Sequence, residues 1–390
     1  MPIEGRSMES AESRIRLGMV GGGEGAFIGA VHRLAARMDD HYVFVAGALS
    51  ATPKKAKRSG RALGLAPDRI YDDFEVMAKA EAGRPDGIEA VAIVTPNHLH
   101  APVAKAFLKA AIHVICDKPL TVNLKEALSL QKAAKNSGRI FALTHNYTGY
   151  PMVRHARAMV AAGELGQLRV VQVEYAQDWL TEKIEDTGHK QAAWRNDPRQ
   201  AGAGGCLGDI GTHAYNLAGF VTGLELDSLS ADLTSFVKGR KLDDNVHIIM
   251  RFKGGAKGML WASQVAPGNE NNLKLRVYGA KGGLEWRQEH PNQLIWSPFS
   301  KAPQILSRGT PYANAAAARV TRVPPGHPEG YLEGFANLYS EIASAIRAAR
   351  AKKKPDAAVT FPTVEDGARG IAFIEAAVKS SARDGKWVKL

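Results

Sequence analysis

Cysteine is almost missing from this chain: two residues, Cys116 and Cys206, in 390. That excludes a disulfide framework, and two isolated thiols without an export signal predict a reducing, cytoplasmic setting. Long apolar runs are missing as well, since no stretch approaches the ~20 residues needed to span a bilayer. Residues 1–13, MPIEGRSMESAES, lack the apolar segment of a signal peptide and are expected to form a disordered leader. Positive charge is in excess at +12, but it is never concentrated; the densest cluster, Lys352–Lys354, runs into Pro355 and reads as a solvated turn. Scattered charge speaks of solubility and non-specific attraction. Nucleic acid and membrane are therefore not expected as partners. His98 and His100 have no further ligand-type residues at suitable spacing, so no metal is expected.

What the chain has is apolar content and glycine. It is 45% hydrophobic and 23% charged, a globular balance with room for two domains. Over 14–145 the apolar runs Ile15–Val20, Tyr42–Leu49, Ala90–Val94, His113–Cys116 and Ile140–Leu143 alternate with helical periodicity. Near-continuous apolar runs suit strands buried on both faces, and the alternation predicts a doubly wound α/β Rossmann domain with a parallel sheet. From 146 to 390 the pattern changes. Leu168–Tyr175, Leu229–Val237, Asn245–Phe252, Gly258–Gln264 and Leu273–Tyr278 follow one another with short turns. They predict an α+β domain with a mostly antiparallel, open sheet. The stretch Ser297–Gly330 is rich in proline and glycine and reads as a long loop. Helical patterns close the chain at Leu332–Ala348 and Val364–Lys379.

Glycine is concentrated in GMVGGGEGAFIG (18–29), after the first strand and before the first helix. Gly21 to Ala26 fit G-x-G-x-x-G/A. Gly21 would allow the tight turn, Gly23 the approach of a pyrophosphate, and Ala26 the close packing of helix on strand. Gly25 lies in the same turn, and Phe27 and Ile28 open a helix whose free N–H groups would face the phosphate. The second strand ends in Ser50-Ala51-Thr52-Pro53-Lys54-Lys55, without a carboxylate for ribose hydroxyls. Ser50 with Lys54 and Lys55 suits a 2′-phosphate, so NAD(P) is the expected cofactor, with NADP slightly favoured over NAD.

Further along, Lys118 stands directly after a buried strand and before Pro119. That is the carboxyl end of a parallel sheet, where ligands bind in such folds. Asp209 and His213, after the glycine-rich AGAGG, are four apart and would share one helix face. A carboxylate there would favour the imidazolium and orient the ring for proton transfer. Asn146 and Tyr147 follow the last parallel strand, while Trp179, Trp194, Arg195 and His327 offer the aromatic and polar mix that suits a polyol.

Two stretches carry a resemblance. VAIVTPNHLHAPVAKAFLKAAIHVICDKPL (91–120) is similar to the Gfo/Idh/MocA oxidoreductases, with their T-P-N-x-x-H at Thr95, Pro96, Asn97 and His100 and their E-K-P at Asp117, Lys118 and Pro119. Aspartate replaces the usual glutamate. AGAGGCLGDIGTHAYNLAGF (201–220) resembles the family's G-G-G-x-x-x-D-x-x-x-H, which ends here on Asp209 and His213. The resemblance spans nearly the whole chain. It implies an NAD(P)-dependent oxidoreductase that moves a hydride between nicotinamide and a secondary alcohol of a sugar, glycoside or cyclitol. Thr95, Pro96, Asn97, His100, Asp117 and Lys118 would lie against the cofactor. Lys118, Asp209 and His213 would be catalytic and would touch substrate, with the proton acceptor left open between His213 and Lys118. It also implies a homo-oligomer, dimer or tetramer, that covers the open sheet. The alternatives are a lyase or epimerase using transient oxidation, and a nucleotide-sensing regulator of the same fold.

Overall fold

The computed structural model describes residues 14–390, so the expected leader lies outside the described residues. The first half alternates strictly: β1 (Ile15–Gly21), α1 (Phe27–Met38), β2 (Tyr42–Ala48), α2 (Pro53–Ala62), α3 (Phe74–Ala82), β3 (Ala90–Val94), α4 (His100–Lys109), β4 (His113–Cys116), α5 (Leu124–Ser137) and β5 (Phe141–Leu143). All pairings are parallel, in the order β2-β1-β3-β4-β5. Ile70 adds a single parallel bridge to Gly47 on the outer edge of β2. Every residue of β3 and β4 is buried, which explains their unbroken apolar runs. Consecutive units wind outward on opposite sides of β1, so a crevice opens beyond the carboxyl ends of β1 and β3.

The second half holds α6 (Pro151–Ala161), β6 (Leu168–Ala176), α7 (Lys190–Arg195), α8 (Pro198–Ala201), α9 (Thr212–Thr222), β7 (Leu226–Thr234), β8 (Asn245–Phe252), β9 (Lys257–Ser263), β10 (Asn272–Gly279), β11 (Gly282–Arg287), β12 (Gln293–Pro298), β13 (Gln304–Ser307), α10 (Ala315–Ala318), α11 (Tyr331–Arg350), α12 (Val364–Ser381) and β14 (Val388–Lys389). Nine strands form one sheet, β13-β12-β11-β10-β6-β9-β8-β7-β14, antiparallel except where β6 meets β9. Its inner face (Val171, Val173, Leu275, Ile248, Leu260) joins α9 and α12 in the larger core. On the outer face one cross-strand row runs Ile249, Met259, Gln172, Arg276, Glu285, Ile295 and Ile305. Ile249, Met259 and Ile305 in that row are exposed.

From the second half, α11 returns to pack on the nucleotide domain. Phe335, Tyr339, Ile342 and Ile346 share a core with Ile15, Leu17 and Met19, and the Tyr339 hydroxyl lies 2.8 Å from His32 Nδ1. Helical periodicity shows that a helix has an apolar face, not which sheet it covers. One sequence expectation needs correction: the stretch 297–330 is not a bare loop. It contains β13 and α10, and polar anchors replace apolar periodicity: buried Arg308 meets Glu329 at 2.9 Å, and Arg322 pairs with Asp39 beyond α1.

Candidate active site

A cleft of about 1080 Å³ lies between the carboxyl ends of β1, β3 and β4 and the second domain. The glycine loop forms one wall. A Cβ on Gly23 would come 2.6 Å from the Leu49 carbonyl, so only glycine lets the turn lie against the end of β2. The close contact of helix and strand, expected at Ala26, falls on Gly29 instead: its Cβ would sit 2.4 Å from Gly22 Cα. Ala26 is the residue before α1, in extended conformation, and lines the cleft with Phe27 and Ile28. At the end of β2, Ser50 and Lys55 line the cleft but Lys54 does not. The Ser50 hydroxyl oxygen accepts from the Thr52 N–H at 3.1 Å, which leaves its own proton free to donate. Arg58 is engaged by Glu24 of the glycine loop at 2.6 Å.

Thr95, Pro96, Asn97, Asp117 and Lys118 continue the wall. Asp117 works locally despite its shorter side chain, accepting from the Thr144 hydroxyl at 2.9 Å and the Lys118 N–H at 3.0 Å. His100 does not reach the cleft. It is buried, with Nδ1 2.8 Å from the Pro119 carbonyl and Nε2 2.9 Å from that of Thr95, and so clasps the two motif loops together. Gly25 is not part of the wall either, and His327 is exposed outside the cleft. Thr95 Oγ1 and Asn146 Nδ2 are buried in the wall with no protein partner among the described residues. Together with the glycine cradle, these unanswered polar atoms fit a bound dinucleotide and a polar second ligand.

At the far end of the cleft Lys118 Nζ donates to Asp209 Oδ1 at 3.0 Å and to the Asp209 carbonyl at 2.5 Å. The other carboxylate oxygen takes Gln264 Nε2 at 3.0 Å and lies 3.2 Å from Arg195 Nε. Burial pushes the Asp209 carboxyl up, but the Lys118 and Arg195 charges and the Lys118 hydrogen bond outweigh it and hold the group ionised. Asp209 makes no hydrogen bond to His213, contrary to the four-residue reading. Leu207–Gly211 is a π-helical turn leading into α9, and the wider turn rotates the two side chains apart.

His213 faces His145 instead, Nδ1 to Nδ1 at 3.4 Å, with the ring planes at 83°. Burial, and then the Lys118 charge, push both imidazoles down, His145 to about 3. His213 is thus neutral, not the imidazolium expected from a carboxylate neighbour. Tyr147 packs edge-on to it at 4.9 Å. The Tyr147 and Tyr175 hydroxyls meet at 2.5 Å, and Tyr175 donates to Asn271 Oδ1 at 2.7 Å. Gln177 bonds Asn271 at 2.8 Å and accepts from Trp179 Nε1 at 3.0 Å. Trp194 and Arg195 of α7 also line this end, the guanidinium 4.4 Å from the indole centroid.

The structure therefore gathers Lys118, Asp209, His213, Asn146, Tyr147, Trp179, Trp194 and Arg195 into one cleft with the glycine loop. Sequence reading missed His145, Tyr175, Gln177, Gln264 and Asn271. The last four sit at strand ends or just outside them, where the alternating pattern gives no signal; His145 adjoins the Asn146-Tyr147 pair, with no motif of its own. Among the described residues no cluster of His, Cys, Asp and Glu could hold a metal, and no helix is long and apolar enough to cross a membrane.

Both halves match known family models: the GFO/IDH/MocA C-terminal domain over residues 153–285, and the oxidoreductase-family NAD-binding Rossmann fold over 15–145. The chain is similar to an oxidoreductase of known structure from Sinorhizobium meliloti, at 59% identity and TM-score 0.88 over 96% of this chain and 99% of that one. An inositol dehydrogenase homolog from Azotobacter vinelandii, solved with NADH and myo-inositol, is 38% identical, with TM-score 0.91 over 97% of this chain and 98% of that one. Levoglucosan dehydrogenase of Pseudarthrobacter phenanthrenivorans is 26% identical over 410 residues, covering 96% of this chain and 97% of that protein.

Proposed function

The chain belongs to the Gfo/Idh/MocA oxidoreductase family, and from that premise we propose that it oxidises a secondary alcohol of a cyclitol, sugar or glycoside, or reduces the matching ketone, at Lys118, Asp209 and His213. The observation that carries this reading is the partly buried Lys118–Asp209 pair beside a neutral His213, at the carboxyl end of a nucleotide-binding sheet. When bound, the nicotinamide accepts or supplies the hydride. His213, neutral and lining the cleft, takes the hydroxyl proton in the oxidative direction. Lys118, held in place by Asp209, hydrogen-bonds the reacting oxygen and stabilises its developing negative charge. Asp209 aims Lys118, and is itself held by Gln264 and Arg195. Trp179, Trp194, Asn146 and Tyr147 supply stacking and polar contacts that suit a ring of hydroxyls. A regulator without chemistry would have no use for this arrangement.

Lys118→Ala and His213→Ala should each lower turnover ~10²–10⁴-fold while the cofactor dissociation constant changes little. Burial and the Lys118 charge keep the His213 pKa low, so the base form persists as pH falls through the ordinary imidazole range. Oxidative kcat/KM should therefore show no break near 6.5, the unperturbed imidazole value. Full turnover in either variant, or a break at that pH that His213→Ala abolishes, would overturn the assignment.

Members of the family bind NAD, as the Azotobacter vinelandii protein does. For this chain the preference rests on Ser50 and Lys55: a free hydroxyl proton and a lysine at the end of β2, with no carboxylate on Ser50-Ala51 to repel a 2′-phosphate. A charge-assisted hydrogen bond contributes ~1.5–3 kcal/mol, or about tenfold and upward in affinity. Titration should show NADP(H) binding more tightly than NAD(H), with Lys55→Ala erasing the difference and Ser50→Asp reversing it. Tighter NAD(H) binding by the unaltered protein would contradict this.

The outer sheet face, with Ile249, Met259, Ile295 and Ile305 in one row, supports a homo-oligomer, dimer or tetramer, joined across that sheet. Sedimentation at micromolar concentration should show a dimer or tetramer that Ile249→Asp weakens. A fully active monomer would refute it.

A further inference from the structure

The two imidazoles at the base of the cleft have a consequence for the proton. His145 is 2% exposed and comes from the turn after β5; His213 comes from the start of α9 in the other half of the chain. Their Nδ1 atoms face each other at 3.4 Å, the long end of hydrogen-bonding distance. Two neutral rings meeting through the same kind of nitrogen can satisfy each other in only two ways: one Nδ1 carries the hydrogen and the other offers a lone pair. Of the His213 ring nitrogens, only Nδ1 has a protein partner among the described residues, and His213 lines the cleft. The choice made at the Nδ1 contact therefore decides what Nε2 presents to a ligand. With the hydrogen on His213 Nδ1, Nε2 has a lone pair and is a base. With the hydrogen on His145 Nδ1, His213 Nε2 carries an N–H and can only donate.

We propose that His145 is a positioning residue that fixes His213 as the Nδ1–H tautomer, accepting that hydrogen on its own Nδ1 so that His213 Nε2 faces the cleft as a proton acceptor. This rests on the dehydrogenase reading above. In the oxidative direction the substrate O–H bond breaks and its proton joins His213 Nε2, while the hydride leaves the same carbon for the nicotinamide and a C=O double bond forms. The Nδ1–H stays where it was, pointing at His145, and the Nε2 proton is afterwards released to solvent. Tyr147, edge-on to His213, keeps the ring from flipping and exchanging the roles of its nitrogens. His145 plays the part that an aspartate or asparagine often takes behind a catalytic histidine, without bringing in a negative charge beside Asp209.

The test uses the full chain, labelled with ¹⁵N-histidine and saturated with NAD⁺. The His213 signals are assigned by their loss in His213→Asn. The account expects a protonated Nδ1 and an unprotonated Nε2 on His213 at neutral pH. In His145→Leu the tautomers should mix, and turnover of whichever polyol the wild type oxidises should fall at least ~10-fold, part of the ~10²–10⁴ that a general base provides. KM and the cofactor dissociation constant should stay within a few-fold. His145→Gln, whose side-chain oxygen can accept the same hydrogen, should restore both tautomer and turnover, which a loss of packing alone would not explain. An Nε2–H tautomer in the wild type, or a His145→Leu enzyme with unchanged kcat, overturns the proposal. If His145→Leu fails to fold, the wild-type tautomer and the His145→Gln rate still decide it. The tautomer is read without substrate, so a wild type inactive on every polyol would defeat the dehydrogenase reading separately.

Discussion

The site depends on one ion pair. Lys118 and Asp209 are 13% and 16% exposed, 3.0 Å apart, and 91 residues apart in the chain. Removing two charges from water costs several kcal/mol each, so such a pair is poor evidence of stabilisation. Its effect here is on charge. It fixes the lysine at the end of β4, where burial and then the Lys118 charge push the His145 and His213 imidazoles down. One cation thus prepares two functions: a donor for a developing alkoxide, and a neighbouring base that is not already protonated. Truncating Asp209 alone would leave the partly buried lysine without its counter-charge, so that change is expected to disturb more than one hydrogen bond.

The framework around the pair is polar and anchored to the backbone. The segment carrying Asp209 is held by Asp243, whose carboxylate accepts from the Gly205 N–H and the Leu207 N–H at 2.7 Å each. Burial pushes Asp243 up to about 6, even with those two N–H donors. Asp209, on the segment that Asp243 holds and itself mostly out of solvent, goes the other way. Nearby lysine and arginine charges separate the two cases, not burial. The π-helical turn at Leu207–Gly211 completes the geometry by directing Asp209 towards Lys118 and His213 towards His145.

Much of this was legible in the sequence. Strands buried on both faces announce themselves as unbroken apolar runs, and β1, β3 and β4 fell where Ile15–Val20, Ala90–Val94 and His113–Cys116 placed them, within a residue. The change to short consecutive strands after residue 145 was equally clear, as was Lys118 at a strand's carboxyl end. What escaped was whatever local periodicity does not encode. A π-turn reads as an α-helix, so Asp209 and His213 were paired with each other when each has another partner. Gly29 took the packing role assigned to Ala26 because the turn is longer than the six-residue fingerprint allows. Lys54, His100 and His327 were grouped with the site by neighbourhood in sequence. In the fold Lys54 points elsewhere, His100 binds two loops together beneath the wall, and His327 is on the surface.

The central claim is spatial: the hydroxyl that is to lose its proton, while its carbon gives up a hydride, must touch Lys118 and His213 together. The structure of the protein crystallised with NADH and a cyclitol such as myo-inositol measures this directly. The account predicts one ring hydroxyl oxygen within ~2.6–3.2 Å of both Lys118 Nζ and His213 Nε2, its carbon facing the nicotinamide. A cyclitol bound in the cleft with no hydroxyl shared by those two atoms would contradict it.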